Sequence, residues 1–384
     1  MPASRLERTS GDPPARSDGL QKTASQLLLK SYLAIERALD AAAAAWSSWR
    51  PPRELQGPGT GPRGTEGDRK ATYVDVIACY RLLLGRQPDP EGLKHYRRRL
   101  STGRVTLDEL VSEFMGSVEF SRRQAKRQAI EGFTGELVTS CEGFHIRVDP
   151  TDYAVGHTVA RTGSYEPMVS ATLKEILAPG TTFVDIGANI GWFSLLAASV
   201  VGPGGRVFAV EPNPRNVALL RQSVKDNRFD NIEVLDIALG ERAGAAALET
   251  DGSNGRLIPI DGPPSQAVAA SFVVATYPLD TLLNEAGAGR VDAMKIDVEG
   301  AEPLVMRGAT RTISEHRPVL ISEFYPLALD SSPWGNARHY LAMLRAFGYA
   351  LSVIGAEEAQ DDETILFMAS QPATGHVDLL GRPV

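Results

Sequence analysis

"FVDIGANIGWFS", residues 183–194, decides the fold of this 384-residue chain. A short apolar run ends on Asp185, two glycines stand four apart at Gly187 and Gly191, and apolar residues resume at once. A strand that stops on an acid and opens directly into a helix brings backbone N–H groups and a positive helix end to one edge of a sheet. In such a turn Gly187 allows close ligand approach and Gly191 allows close helix packing.

The same rhythm runs outward from this stretch. "TGSYEPMVSATLKEILAPG" reads as a helix upstream. Downstream come helix "GWFSLLAASVV", strand "RVFAVEP", helix "PRNVALLRQSVKDN", strand "IEVLDIALG" and a variable stretch over 251–278. Helix "PLDTLLNEAG", strand "VDAMKIDVEG", helix "AEPLVMRGATRTISEH", strand "PVLISEFYP" and helix "ARHYLAMLRAFG" follow, and a strand pair around "ALSVIG" and "TILFMAS" closes the chain. This alternation predicts an α/β, doubly wound, mostly parallel sheet with an antiparallel last strand. Ligands of such sheets collect at the carboxyl ends of the strands.

Acids recur at those ends. Glu211 closes the second strand, where a carboxylate can accept both hydroxyls of an adenosine ribose. Asp236 follows the third strand, where it could meet an adenine amino group. A dinucleotide site usually carries Gly-x-Gly-x-x-Gly so that pyrophosphate can sit on the helix N-terminus. Here the turn is "GANIG", with Asn189 in place of a glycine and Asp185 ahead of it. A carboxylate before the turn disfavours pyrophosphate and suits an ammonium or sulfonium group, which favours S-adenosylmethionine over a nicotinamide dinucleotide. In "KIDVEGAE", residues 295–302, Asp297 and Glu299 end a buried strand and could orient a hydroxyl or take its proton. Glu323, at the end of the next strand, is the reserve candidate; the lone His157 and His339 rank below it. No His or Asx cluster beside them forms a cation cage, so no metal is expected.

Four blocks together, "FVDIGANIGWFS", "VFAVEPNP", "IALGERAG" and "KIDVEGAE", with "ISEFYP" and the upstream "GSYEP", resemble the FkbM family of S-adenosylmethionine-dependent methyltransferases over roughly residues 140–355. The resemblance implies a Rossmann-like class I methyltransferase fold and O-methylation of a hydroxyl, commonly on a sugar or a polyketide. It maps cofactor contacts onto Asp185, Gly187, Asn189, Gly191 and Glu211, with Asp236 at the adenine. Tyr165 and Glu166 match the upstream motif, at the methionine end or a site lid. Only "SNGRL", residues 253–257, is loosely kept, without an assigned role. The rival readings are a nicotinamide-dependent oxidoreductase and a non-catalytic scaffold on a similar sheet.

The N-terminal part differs in character. The net charge of −7 conceals 22 Lys/Arg against 15 Asp/Glu in residues 1–130. Residues 1–69 read as disordered or linker, with one helix over about 20–49 and Pro/Gly-rich residues at 51–67. Residues 70–131 read as a small all-α module, and 137–384 as the methyltransferase domain. "LLGRQPDPEGL" and "VSEFMGSVEF" resemble a small helical bacterial domain of unknown function related to phycobilisome-linker repeats, which implies an interaction module able to take a protein partner. Bulk charge does not invite nucleic acid. Two cysteines, the lack of an apolar span and the polar N-terminus predict a cytoplasmic protein without a transmembrane segment, with peripheral contact at the inner membrane an open option. The expected acceptor is a hydroxyl-bearing glycan or small molecule.

Overall fold

The computed structural model describes residues 70–84, 88, 90–101, 104–121, 134–259, 272–371 and 375–384. The predicted helix over 20–49 and the linker at 51–67 lie outside the described residues.

The N-terminal module holds α1 (Tyr73–Leu83), α2 (Pro90–Ser101) and α3 (Leu107–Met115). Thr106 and Glu109 form a capping box, each side chain accepting the other's backbone N–H. Val76, Tyr80, Tyr96, Leu110 and Phe114 make a separate small core.

In the α/β domain, β1 (Glu136–Thr139) and β2 (His145–Val148) form a hairpin, followed by α4 (Gly156–Thr162) and α5 (Pro167–Ile176). Then come β3 (Thr182–Ile186), α6 (Trp192–Val201), β4 (Arg206–Val210), α7 (Pro214–Asn227) and β5 (Ile232–Leu235). The chain continues through β6 (Ala238–Leu239), β7 (Gly244–Asp251), β8 (Asn254–Pro259), β9 (Phe272–Tyr277) and α8 (Leu279–Glu285). It ends with β10 (Ala293–Ile296), α9 (Glu302–Gly308), α10 (Thr310–His316), β11 (Val319–Phe324), α11 (Pro326–Asp330), α12 (Ala337–Ala346), β12 (Tyr349–Val353), α13 (Asp362–Ala369) and β13 (Val377–Pro383).

Seven strands make the main sheet, in the order β12-β13-β11-β10-β3-β4-β5. Only β13 runs against its neighbours. The pairs β11–β10, β10–β3, β3–β4 and β4–β5 are parallel. Period-two alternation sends Val184, Ile186, Met294 and Ile296 into one core layer, and Phe183, Val207, Ala293 and Ile321 into the other. The sheet is thus covered on both faces, as a doubly wound fold requires.

Three local readings change. "TILFMAS" is not a strand but most of α13, because Asp361 caps a helix by accepting the Thr364 N–H; the last strand is β13. The single helix expected after "KIDVEG" breaks into α9 and α10, where Gly308 packs on the Gly240 carbonyl so closely that a Cβ would lie 2.1 Å from it. A second sheet, ordered β6-β9-β7-β8, takes β8 and β9 from the variable stretch and β6 and β7 from the residues before it, with β7 and β8 joined by a two-residue turn at Gly252–Ser253.

Candidate active site

The turn after β3 is built around positive φ at Gly187 (+82°), Asn189 (+52°) and Gly191 (+95°). Gly187 is required by contact as well as by conformation: a Cβ there would lie 1.7 Å from the Asp297 carbonyl oxygen. The N–H groups of Gly187 and Ala188 both donate to the Val210 carbonyl, so the turn is tied to β4. Gly191 faces Leu220 of α7, where a Cβ would meet Leu220 Cδ1 at 2.1 Å. It serves helix packing, as the sequence suggested, and does not line the cavity.

That cavity lies at the carboxyl ends of β3, β4 and β10 and encloses about 990 Å³ of space open to solvent. Tyr165, Glu166, Gly187, Asn189, Glu211, Asp297, Glu299 and Glu323 all line it. Eight of the eleven residues predicted for the site therefore converge on one cleft, from segments far apart in the chain.

Glu211, at the end of β4, is buried and anchored. One carboxylate oxygen accepts the Asn213 N–H at 2.7 Å and Asn216 Nδ2 at 3.4 Å; the other accepts the Asn189 N–H at 2.8 Å. A carboxylate offers about four acceptor sites, so about one remains. The expectation that Glu211 takes both ribose hydroxyls is accordingly narrowed to one. Burial outweighs these N–H bonds and pushes its carboxyl up to about 7.

Asp185 is placed differently from the reading above. It is fully buried beneath the cavity, where one oxygen accepts the Ser194 hydroxyl at 2.6 Å and the other has no hydrogen-bond partner. Burial raises its pKa, opposed by the Lys295 ammonium. The cause is strand parity: Asp185 shares the face of Phe183 that packs on α6. Asp236 also lies outside the cavity lining, 3.4 Å from Arg221, while its neighbour Ile237 lines the wall. His157 stacks near Tyr153 and His339 is exposed on α12, so neither reaches the cleft.

Lys295 is the residue the sequence reading passed over. It is buried, lines the cavity, and donates to Asp297 Oδ2 at 2.6 Å, with its ammonium 4.7 Å from the Phe193 ring centre. Asp297, Glu166 and Asp185 raise its pKa against the opposing effect of burial. The available signal was a lysine inside an otherwise apolar strand, "DAMKID", since lysine is almost never fully buried without a partner.

Around this pair the acids divide by environment. Glu299, at φ +52°, has its pKa raised by burial and by Asp297. Glu302 accepts the N–H groups of Val298 and Gly300 at 3.2 Å each and so shapes the turn after β10; burial pushes it up to about 7. Glu323 is pushed up to about 10 by burial and by Asp297 and Glu299, so it holds a proton near neutrality. Tyr165 and Glu166 are steadied from behind: Trp192 Nε1 donates to Ser170 Oγ at 2.9 Å, and Ser170 Oγ donates to the Tyr165 carbonyl at 3.0 Å. Among the described residues no group of three or more His, Cys, Asp and Glu has the arrangement of a metal site.

Residues 185–351 match the Methyltransferase FkbM domain, and residues 65–124 match a domain of unknown function, DUF4214. Among curated proteins, the chain is similar to the 2-O-methyltransferase NoeI of Sinorhizobium fredii (strain NBRC 101917 / NGR234), 25% identical over 160 residues, or 36% of this chain and 61% of that protein. It is similar to the arsenite methyltransferase of Halobacterium salinarum (strain ATCC 700922 / JCM 11081 / NRC-1), 39% identical over 57 residues, 15% of each chain. These matches span less than two thirds of either relative. A solved FkbM methyltransferase structure from Methylobacillus flagellatus KT is 16% identical with a TM-score of 0.34, covering 77% of this chain and 71% of that one.

Proposed function

We infer, from a chain whose residues 185–351 match the FkbM methyltransferase domain with S-adenosylmethionine as the implied cofactor, that it transfers a methyl group to a hydroxyl oxygen of a sugar, glycan or secondary metabolite. The residues present fit that cofactor. Glu211 keeps an acceptor site for one ribose hydroxyl, and Gly187 lines the cavity where the β3 turn meets the end of β10. Ile237, Leu239 and Val298 supply apolar walls, and the acids of the cleft suit a cationic ligand. S-adenosylmethionine supplies a methyl carbon already activated by its sulfonium leaving group, so the chain's task is alignment and proton removal.

The observation that carries this reading is the Asp297 carboxylate at the cavity wall, paired with buried Lys295, on the residue whose own backbone carbonyl packs against Gly187. Asp297 accepts the acceptor's hydroxyl proton as the new O–C bond forms. Glu299 shares the same wall and orients the hydroxyl. Glu323 keeps its proton near neutrality and serves as a hydrogen-bond donor to the acceptor rather than as the base. Carboxylates interleaved with Tyr165 and Trp192 suit an acceptor with many hydroxyls and apolar C–H faces. The relative named as a 2-O-methyltransferase supports a hydroxyl target. The helical module at 65–124 is proposed to position the enzyme on a protein partner. Among the described residues no helix is long and apolar enough to cross a membrane.

Calorimetry with S-adenosylhomocysteine and NADH, followed by methyl transfer to a panel of saccharides read by mass spectrometry, tests the proposal. Binding of S-adenosylhomocysteine alone, with methylated saccharide formed, is expected. In Asp297→Asn, affinity for S-adenosylhomocysteine should persist while transfer falls by roughly 10²–10⁴-fold. NADH binding, or full turnover by that variant, would defeat the reading.

A further inference from the structure

The segment "SNGRL" has no role in the reading so far, yet it is fastened to the cleft at several points. Ser253 is buried at the β7–β8 turn, and its N–H donates to Asp152 Oδ1 at 3.0 Å. Its carbonyl accepts Asn216 Nδ2 at 2.7 Å and Asn189 Nδ2 at 3.4 Å. Both asparagines are also partners of Glu211, Asn216 through its side chain and Asn189 through its backbone N–H. Farther along, Arg256 donates to the Ser331 carbonyl at 3.2 Å, and buried Leu257 packs in one cluster with Ala301 and Val298. Ser253, Asn254, Gly255 and Leu257 line the same cavity as Glu211 and Asp297.

Several of this turn's anchors, Asn189, Val298 and Ala301, line the cleft themselves, and Asn216 reaches it through Glu211. Asn216 Nδ2 bridges the Glu211 carboxylate and the Ser253 carbonyl, and Asn189 reaches the same two groups through its backbone N–H and its side chain. Hydrogen bonds that share donors and acceptors in this way stand or fall together. Asp152 secures the other side, because its second oxygen accepts the N–H groups of Val155 and Gly156, which fixes its own position.

We propose that Ser253–Leu257 forms a wall of the donor-binding site, seated by Asn216, so that docking of this hairpin tip and donor binding are coupled. The proposal rests on the methyltransferase reading for the identity of the donor. Asn216 acts as a positioning residue: it sets where the Ser253 carbonyl and the Glu211 carboxylate lie relative to each other. An interaction that a ligand strengthens in one state shifts that state's population, and the hairpin then opens less often when the donor site is filled.

Amide hydrogen exchange on the full chain, with and without S-adenosylhomocysteine, combined with calorimetry, tests this. In the wild-type protein the ligand is expected to slow exchange over 251–257 along with 187–191 and 211–213. In Asn216→Ala, affinity should fall about tenfold, the loss of one buried hydrogen bond to a well-placed acceptor. In that variant the 251–257 segment should respond to ligand less than 187–191 does. If ligand slows 187–191 and 211–213 but leaves 251–257 unchanged, the coupling is wrong and the methyltransferase reading survives. If the wild-type protein does not bind S-adenosylhomocysteine, the reading beneath it fails. Should Asn216→Ala not fold, the wild-type exchange comparison decides alone.

Discussion

Asp185 and Lys295 are register partners on the adjacent parallel strands β3 and β10, on the face that packs against α6. Two residues on, Asp297 takes the same ammonium at 2.6 Å. One buried cation thus stands between an acid beneath the cavity and an acid in its wall. The first lies buried beneath the cavity and the second lines it.

Removing that cation strands its partners. Breaking a buried pair by deleting one member costs about 3–5 kcal/mol. Lys295→Met is therefore expected to lower unfolding stability by that order. Asp185→Asn in the same background should recover part of the loss, because one uncompensated carboxylate is gone. Urea unfolding of the two single variants and the double variant measures the coupling. Additive losses would show that Lys295 and Asp185 do not act as a pair.

If Glu211 contacts the donor as proposed, donor binding is expected to depend on pH. Its folded-state pKa is raised to about 7 by burial, above the usual carboxylate value of 4.5. Its ionised form accepts a ligand hydroxyl more strongly than the protonated form, so affinity is expected to be highest above pH 7 and to fall as pH drops through that value. S-adenosylhomocysteine should bind roughly tenfold or more weakly at pH 5.5 than at pH 8. In Glu211→Gln the affinity should be low and flat across the same range. A wild-type profile without slope would remove Glu211 from the ligand. The same shift acts on stability with the opposite sense. The folded protein binds more protons than the unfolded chain between pH 4.5 and 7, so this group's contribution to stability decreases as pH rises through that window.

Two glycines separate conformation from contact. Gly187 and Gly180 share positive φ, +82° and +86°, but a Cβ at Gly180 meets nothing within 4 Å, whereas one at Gly187 runs into the Asp297 carbonyl. Gly180→Ala should cost only the backbone penalty, about 1 kcal/mol. Gly187→Ala should cost roughly 3 kcal/mol or more, because the β3 turn and the β10 end must move apart. Thermal unfolding of both variants reads the difference, and equal losses would contradict the contact argument.

The alternation of apolar runs with glycine turns determined the doubly wound sheet, since period-two burial and helix caps are local properties. It also placed Glu211, Asp297, Glu299 and Glu323 at strand ends, where a parallel sheet gathers its ligands. What it could not state was which way each acid points or what meets it across the chain. Asp185 looked like a ligand contact because it precedes the glycine turn. Strand parity turned it toward Ser194 and Lys295 instead. Lys295 was overlooked because its meaning depends on a neighbour on another strand. The hairpin at Ser253 showed nothing in its own residues, because its place in the cleft is made by Asp152, Asn189 and Asn216, which only tertiary packing brings to it. Local chemistry is written along the chain; pairing between distant charged and polar groups is decided by sheet order and register.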